Sequence, residues 1–245
     1  MARLSRVPLS GLEAGERALE PKIERYLCDV LRLRAGDRFL AFDPDAQLEA
    51  DAELVETGSA RIACALRAVR PASRVLDTGI VLVQALGKGD KTEQVVRSAT
   101  ALGVAEIHLV ESARSVARAG ERSDTKRARL ATIALDAARQ SGRGDVPKIA
   151  GPHALLRELD AWRGASAIKL CLVPGASETL RSLTREWSVG SAIGLLIGPE
   201  GGFAPEELAA AEAVGFRAAS FGALVLRTEV AGVATLGALL LLAEA

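Results

Sequence analysis

Two rhythms of apolar and polar residues run along this chain, and one gives way to the other near residue 71. Before that point the apolar runs are short. RFLAFDP (38–44) and ARIACALRAV (60–69) predict strands, and LEADAELVETGSA between them alternates like another strand and a turn. Ala-Gly-Asp at 35–37 signals a turn, and Glu20 to Leu31 predicts a short helix. A β-rich unit of this size, residues 1–71, is expected to close into a small barrel.

Beyond RPASR the elements lengthen and alternate. GIVLVQALG (79–87) predicts a buried strand, and DKTEQVVRSATALG a helix with Asp90 as its N-cap and Glu93 three residues on, the outline of a capping box. VAEIHLVE is the next strand and Asp124 to Gln140 the next helix; a short strand at VPKIA precedes a helix from His153 to Ala161. AIKLCLVPG and SAIGLLIGPEGG are apolar strands that end in Pro and Gly. Pro205 to Val214 predicts a helix, AASFG a short strand, and Arg227 to Ala243 the last helix. Such alternation predicts an α/β unit over 72–245, a mostly parallel sheet covered on both faces.

Composition narrows the picture. Of 245 residues, 49% are apolar but only 3% aromatic, so the core is built from Ala, Leu and Val. Zero net charge gives no global electrostatic case for nucleic acid. Cys28, Cys64 and Cys171 are far apart and show no metal-ligand spacing, which fits a reduced, cytoplasmic protein without a metal. His108 in a strand-like run and His153 after a Gly-Pro turn are expected to be structural. MARLSRVPLSGLEAGER lacks the continuous apolar stretch of a leader, and ATLGALLLLAEA (234–245) is too short to span a bilayer. A soluble chain with no membrane partner is expected.

The chemistry gathers in the last third. Three strands end in LCLVPG, LLIGPEGG and SFGALVLRTEV. In open α/β sheets ligands sit beyond the carboxyl ends of the strands, so three such loops predict a small-molecule pocket. In PEGG, Pro199 has no N–H, and Gly201 and Gly202 are expected at positive φ, where backbone can approach a ligand closely. Neither a Gly-x-x-x-x-Gly-Lys-Ser/Thr phosphate loop nor a Gly-x-Gly-x-x-Gly turn after the first strand is present, which excludes the ordinary nucleotide folds.

IGPEGGF, then EELAAAEAVGF, then FGALVLRTEVA resemble the signature of the SPOUT methyltransferases, the trefoil-knotted S-adenosylmethionine enzymes. Within them the chain is similar to the family that methylates uridine N3 in small-subunit ribosomal RNA. VLRLRAGD (30–37), QALGKGDKTE (84–93), ALGVAEIHLVES (101–112), ARSV (113–116) and QSGRGDVPKI (140–149) agree in order. The resemblance implies a PUA-like β-barrel for RNA at the N-terminus, a knotted α/β domain after it, and a homodimer. It implies S-adenosyl-L-methionine held by Leu172, Val173 and Pro174, by Ile197, Gly198, Pro199, Glu200, Gly201 and Gly202, and by Phe221, Gly222, Val225, Leu226, Arg227 and Thr228. It further implies a substrate-anion role for Arg227 and a proton-accepting or structural role for Glu229 or Glu200.

For RNA the resemblance implies contacts from Arg32, Arg34, Lys88, Lys91, Arg114 and Arg143. Local charge agrees: Ser112 to Lys148 carries nine cations, Arg118 and Arg122 among them, against Glu121, Asp124, Asp136 and Asp145. Several positions depart from the family pattern. Leu224 stands where an arginine is usual and Val230 where a threonine is; Ser98 and Ala101 replace charges, and Arg139 replaces an acidic residue. Two alternatives therefore stay open: an RNA-binding or ribosome-assembly protein without turnover, and a knotted methyltransferase acting on another RNA.

Overall fold

Short strands and tight turns dominate the first part of the computed structural model, which describes residues 4–56, 62–76, 78–115, 123–185, 187–188 and 190–243. The turn expected at 57–60, Val116 of ARSV, and Arg118, Glu121 and Arg122 lie outside these residues. Strands β1 (Arg6–Pro8) and β2 (Gly15–Ala18) precede helix α1 (Pro21–Arg25), which runs into one wide helical turn at Tyr26–Val30. Then come β3 (Arg38–Asp43), β4 (Leu48–Glu56) and β5 (Ile62–Pro71), in a sheet of order β1-β3-β4-β5-β2. Val7, Leu27, Phe39, Leu54 and Leu66 fill its apolar core. Buried Glu49 is held by Arg6 and Arg70, so its charge is paired where water is excluded.

The chain divides into two compact units, Met1–Val75 with Ala138–Val146, and Leu76–Ala137 with Pro147–Ala245. The return of residues 138–146 to the first unit was not part of the sequence expectation. It is fixed by hydrogen bonds between residues distant in sequence: Arg6 donates to the Arg143 carbonyl at 3.0 Å, and Gly144 donates to the Arg74 carbonyl at 2.8 Å. Arg139 lies over the Tyr26 ring at 5.0 Å. Arg143 corrects another expectation. Its side chain is buried and forked onto both oxygens of Asp145, so it is an internal strut and not a surface cation for RNA.

In the second unit a six-stranded sheet has the order β11-β9-β10-β6-β7-β8, all neighbours parallel. The strands are β6 (Ile80–Ala85), β7 (Glu106–Glu111), β8 (Lys148–Ala154), β9 (Ile168–Leu172), β10 (Ile193–Ile197) and β11 (Arg217–Ala219). The helices are α2 (Lys91–Ala101), α3 (Ser123–Ser141), α4 (Leu155–Ala161), α5 (Leu180–Leu183), α6 (Pro205–Ala213) and α7 (Thr228–Ala243). Central β10 is buried at every position, as a strand flanked by two others and covered on both faces must be. Glycine is required at 194 because a Cβ there would lie 2.6 Å from the Trp162 ring, which packs on Phe216 in the core.

Two local expectations fail for identifiable reasons. Asp90 precedes α2 but makes no side-chain cap; its carboxylate takes the Gln94 amide, and Glu93 pairs with Arg129. His153 belongs to β8, not to α4, because β8 shifts register opposite His108–Val110 and continues past Pro152.

Candidate functional site

At the carboxyl ends of β9, β10 and β11 three loops and the start of α7 enclose a cavity of about 510 Å³. Its walls are Leu172 to Pro174, the GPEGGF turn and Phe221 to Thr228. Every residue the sequence assigned to the cofactor lines it except Gly201. Sequence reasoning missed Phe203, Leu208 and Ala231, and placed Lys91 on the RNA side. Phe203 follows PEGG directly, so it was within reach of a motif argument. Leu208 and Ala231 point inward from helices whose apolar faces look like ordinary core.

The PEGG turn is tied down from several sides. Gly202 donates to the Pro199 carbonyl at 2.9 Å and sits at φ +67, where only glycine is unstrained. Gly201 does not share this conformation: the positive-φ requirement falls on Gly202 alone, and Gly201 packs against the stem of Arg114. Arg114 donates to the Gly201 carbonyl at 3.1 Å. The loop carrying Arg114 is itself pinned by Glu207, whose buried carboxylate accepts from Ser112 Oγ, the Ala113 N–H and the Ala204 N–H at 2.8–2.9 Å. One side chain thus anchors the loop after β7 and starts α6.

The first turn of α7 is fastened to the same region. Thr228 Oγ1 donates to the Gly198 carbonyl at 2.6 Å and accepts from Gln84 Nε2 at 3.1 Å. Farther out, Lys91 Nζ lies 2.8 Å from Glu200 Oε1 and 3.4 Å from Glu229 Oε2. The hydrogen bond from Lys91 holds the Glu200 carboxyl below its ordinary pKa, which makes Glu200 a weaker proton acceptor. Arg227 is exposed on the cavity wall. Lys88 and Arg114 are exposed in this unit, and Arg32 and Arg34 are exposed in the first.

A second titratable cluster lies in the same unit. Glu158 accepts from His108 Nδ1 and His153 Nε2, each at 2.6 Å, and from Trp162 Nε1 at 2.8 Å. The other His108 nitrogen lies 2.9 Å from Glu106. Facing carboxylates with both ring nitrogens favours the imidazolium, and the hydrogen bond to Glu158 raises the His108 pKa. Although burial opposes it, the three donors bring Glu158 down to about 2. None of these groups lines the cavity. Cys171, pushed up to about 12 by burial, is inert core. Among the described residues no group of His, Cys, Asp and Glu could hold a metal ion.

Residues 75–240 match the family model described as an RNA methyltransferase domain. Ribosomal RNA small subunit methyltransferase E of Bacillus subtilis (strain 168) is 27% identical over 87% of this chain and 85% of its own. Its counterpart in Synechocystis sp. is 30% identical over 82% of this chain and 65% of its own. Among solved structures, a Legionella pneumophila methyltransferase in complex with bound SAM superposes with a TM-score of 0.86 at 29% identity, over 97% of both chains. Ribosomal RNA small subunit methyltransferase E of Neisseria gonorrhoeae, bound to S-adenosyl methionine, gives a TM-score of 0.86 at 27% identity over 98% of both. With its parallel sheet, its cavity beyond three strand ends and a family match over most of its length, the chain belongs to the RNA methyltransferase domain family.

Proposed function

We propose that this protein is an S-adenosylmethionine-dependent methyltransferase of ribosomal RNA, acting on N3 of a uridine in the small-subunit RNA. The observation that carries this reading is the cavity at the strand ends, in a chain that superposes over nearly its full length on relatives solved with that cofactor. The residues present fit the group. A volume of about 510 Å³ is in the range of small-molecule sites. Leu172, Val173, Ile197, Phe221, Val225 and Leu226 offer apolar walls to an adenine ring, and Gly202 brings backbone close without a side chain. Lys91, Glu200 and Arg227 make a charged rim.

When bound, the cofactor supplies an electrophilic methyl group and its own leaving group, which leaves orientation and electrostatics to the protein. Uracil N3 must give up its proton and carries negative charge as it does so. We read Arg227, on the cavity wall, as the group that stabilises that charge, and Glu229, next to the lining residue Thr228 and held less closely by Lys91 than Glu200 is, as the proton acceptor. Mass spectrometry of small-subunit RNA nucleosides with and without the gene tests the activity. N3-methyluridine that persists without the gene would refute it.

A different RNA is the second reading, and Leu224 favours it. This residue lines the cavity, is 80% exposed, and puts an apolar side chain where the family pattern has arginine. We further infer a PUA-like RNA-binding barrel in the first unit, supported by its five-stranded sheet packed on one apolar core. The family match and the superposition on methyltransferases solved with bound cofactor support a knotted topology for the second unit. Exposed Val230, Leu241 and Leu242 on α7 support a homodimer through that helix, which sedimentation as a stable monomer at micromolar concentration would exclude. No helix of the described residues is long and apolar enough to cross a membrane.

A further inference from the structure

QALGKGDK, residues 84–91, contributes only Lys91 to the cavity lining, yet it touches both the PEGG turn and the first turn of α7. At its start, Gln84 reaches the Thr228 hydroxyl, which bonds the Gly198 carbonyl: a neutral link from β6 through α7 to the loop after β10. At its end, the Lys91 ammonium lies between Glu200 of the PEGG turn and Glu229 of the first turn of α7, at 2.8 and 3.4 Å. The backbone helps, since the Lys88 N–H reaches the same Glu200 oxygen at 3.4 Å. Glycine at 87 makes room for the lysine stem: a Cβ there would lie 2.9 Å from Lys91 Cβ.

We propose that Lys91 is a positioning residue that clamps the PEGG turn against α7 and so holds the cofactor cavity closed; this rests on the cofactor reading of the cavity. An ammonium between two carboxylates makes a cluster with one net negative charge, which repels a phosphate backbone. That sets Lys91 apart from Lys88 and Arg114 as a cation for RNA. Without the lysine, two like charges face each other across the seam. Glu229 keeps the favourable helix N-terminus, so Glu200 and its turn swing out. A single exposed ion pair is worth little, but a three-charge network that joins two separate loops decides how often the cavity is closed.

The test is calorimetry of S-adenosylmethionine binding alongside filter binding of a small-subunit ribosomal RNA transcript, each over a range of salt. If the closed population drops to about a tenth, Lys91→Gln weakens cofactor binding roughly ten-fold. Lys91→Arg is expected to restore most of the loss, and adding Glu229→Gln to Lys91→Gln is expected to recover part by removing the repulsion. Wild-type cofactor affinity falls with salt, that of Lys91→Gln does not, and RNA affinity is the same in both. Unchanged cofactor affinity in Lys91→Gln, or an RNA salt slope lower by about one, would overturn the proposal. Wild-type protein that binds no cofactor at all overturns the cofactor reading and takes this one with it. A thermal midpoint for each variant separates loss of the clamp from loss of the fold.

Discussion

Glu158 and Glu200 are carboxylates in the same unit, each ringed by cationic or N–H donors, and they differ in what their surroundings leave undone. Glu158 is buried, both its oxygens are taken, and its donors come from β7, β8 and the residue that ends α4. It closes a seam between packed elements and does not line the cofactor cavity. Glu200 stands exposed on a glycine-rich turn, shares an ammonium with Glu229, and lines the cavity. A saturated, buried charge can only report on folding. One held by a shared partner on a loop can report on binding. Substitutions at the two places should therefore separate cleanly into stability and affinity.

The largest expected effect is on the buried side. Glu158→Ala strands two histidines and the Trp162 N–H, and should cost about 3 kcal/mol in denaturant unfolding while cofactor affinity stays within about two-fold. Acid should act in the same direction. With its folded pKa at about 2, Glu158 contributes stability that is complete above the ordinary carboxylate range and lost as pH falls toward that value. A variant that unfolds like wild type, or that loses the cofactor, would erase the distinction between the two clusters.

Gly202→Val comes next and strikes the other side. A valine at φ +67 costs about 1–2 kcal/mol of backbone strain and distorts the turn, so cofactor affinity should fall about thirty-fold by calorimetry. Gly201→Ala is the control, because its added methyl meets Arg114 at an ordinary 3.4 Å and should change affinity less than about two-fold. If both variants bind alike, the constraint does not reside at Gly202.

Leu224→Arg probes the substrate face of the same cavity. One charge-assisted contact is worth about 1.5–3 kcal/mol, so a tritiated-methyl assay on small ribosomal subunits should show about ten-fold faster transfer with cofactor affinity unchanged. No gain would mean that leucine at this position is harmless.

The smallest effect returns to the buried cluster. His108 has a raised pKa, so its charge contributes stability that is complete below the ordinary histidine value and disappears as pH rises through the folded one. Glu158, Glu106 and His153 surround it, with Lys148 behind Glu106. Raising pH from about 6 to about 8 should lower the thermal midpoint of wild type slightly, and His108→Gln should remove that slope.

What could be read without coordinates follows from how local each signal is. The alternation after residue 71 is written in consecutive residues, and the strands it predicts match β6, β7, β9 and β10 closely. β1 and β2 are three and four residues long, and β2 is mostly exposed, so no hydrophobic rhythm marks them. Nothing in QSGRGD announces that it packs with the first unit, because the partners of Arg143 and Gly144 include Arg6 and Arg74, far away in sequence. In the cavity, turn residues such as Pro199 and Gly202 carry their own signature. The ion pairs of Lys91 could not be read in this way, because Glu200 and Glu229 each lie more than a hundred positions along the chain.

The cavity walls also arrive in a fixed order of synthesis. Lys91 emerges from the ribosome first, then Leu172 to Pro174, then the PEGG turn, and last Phe221 to Ala231. Thr228, whose hydroxyl locks Gly198, belongs to that final instalment. A nascent chain halted at Phe216 already has most of the sheet's strands but neither the lid of the pocket nor the bolt that fastens it. Cofactor capture thus requires residues as far apart in the chain as Lys91 and Ala231 to be in place together, and a fragment halted at Phe216 is not expected to hold the methyl donor.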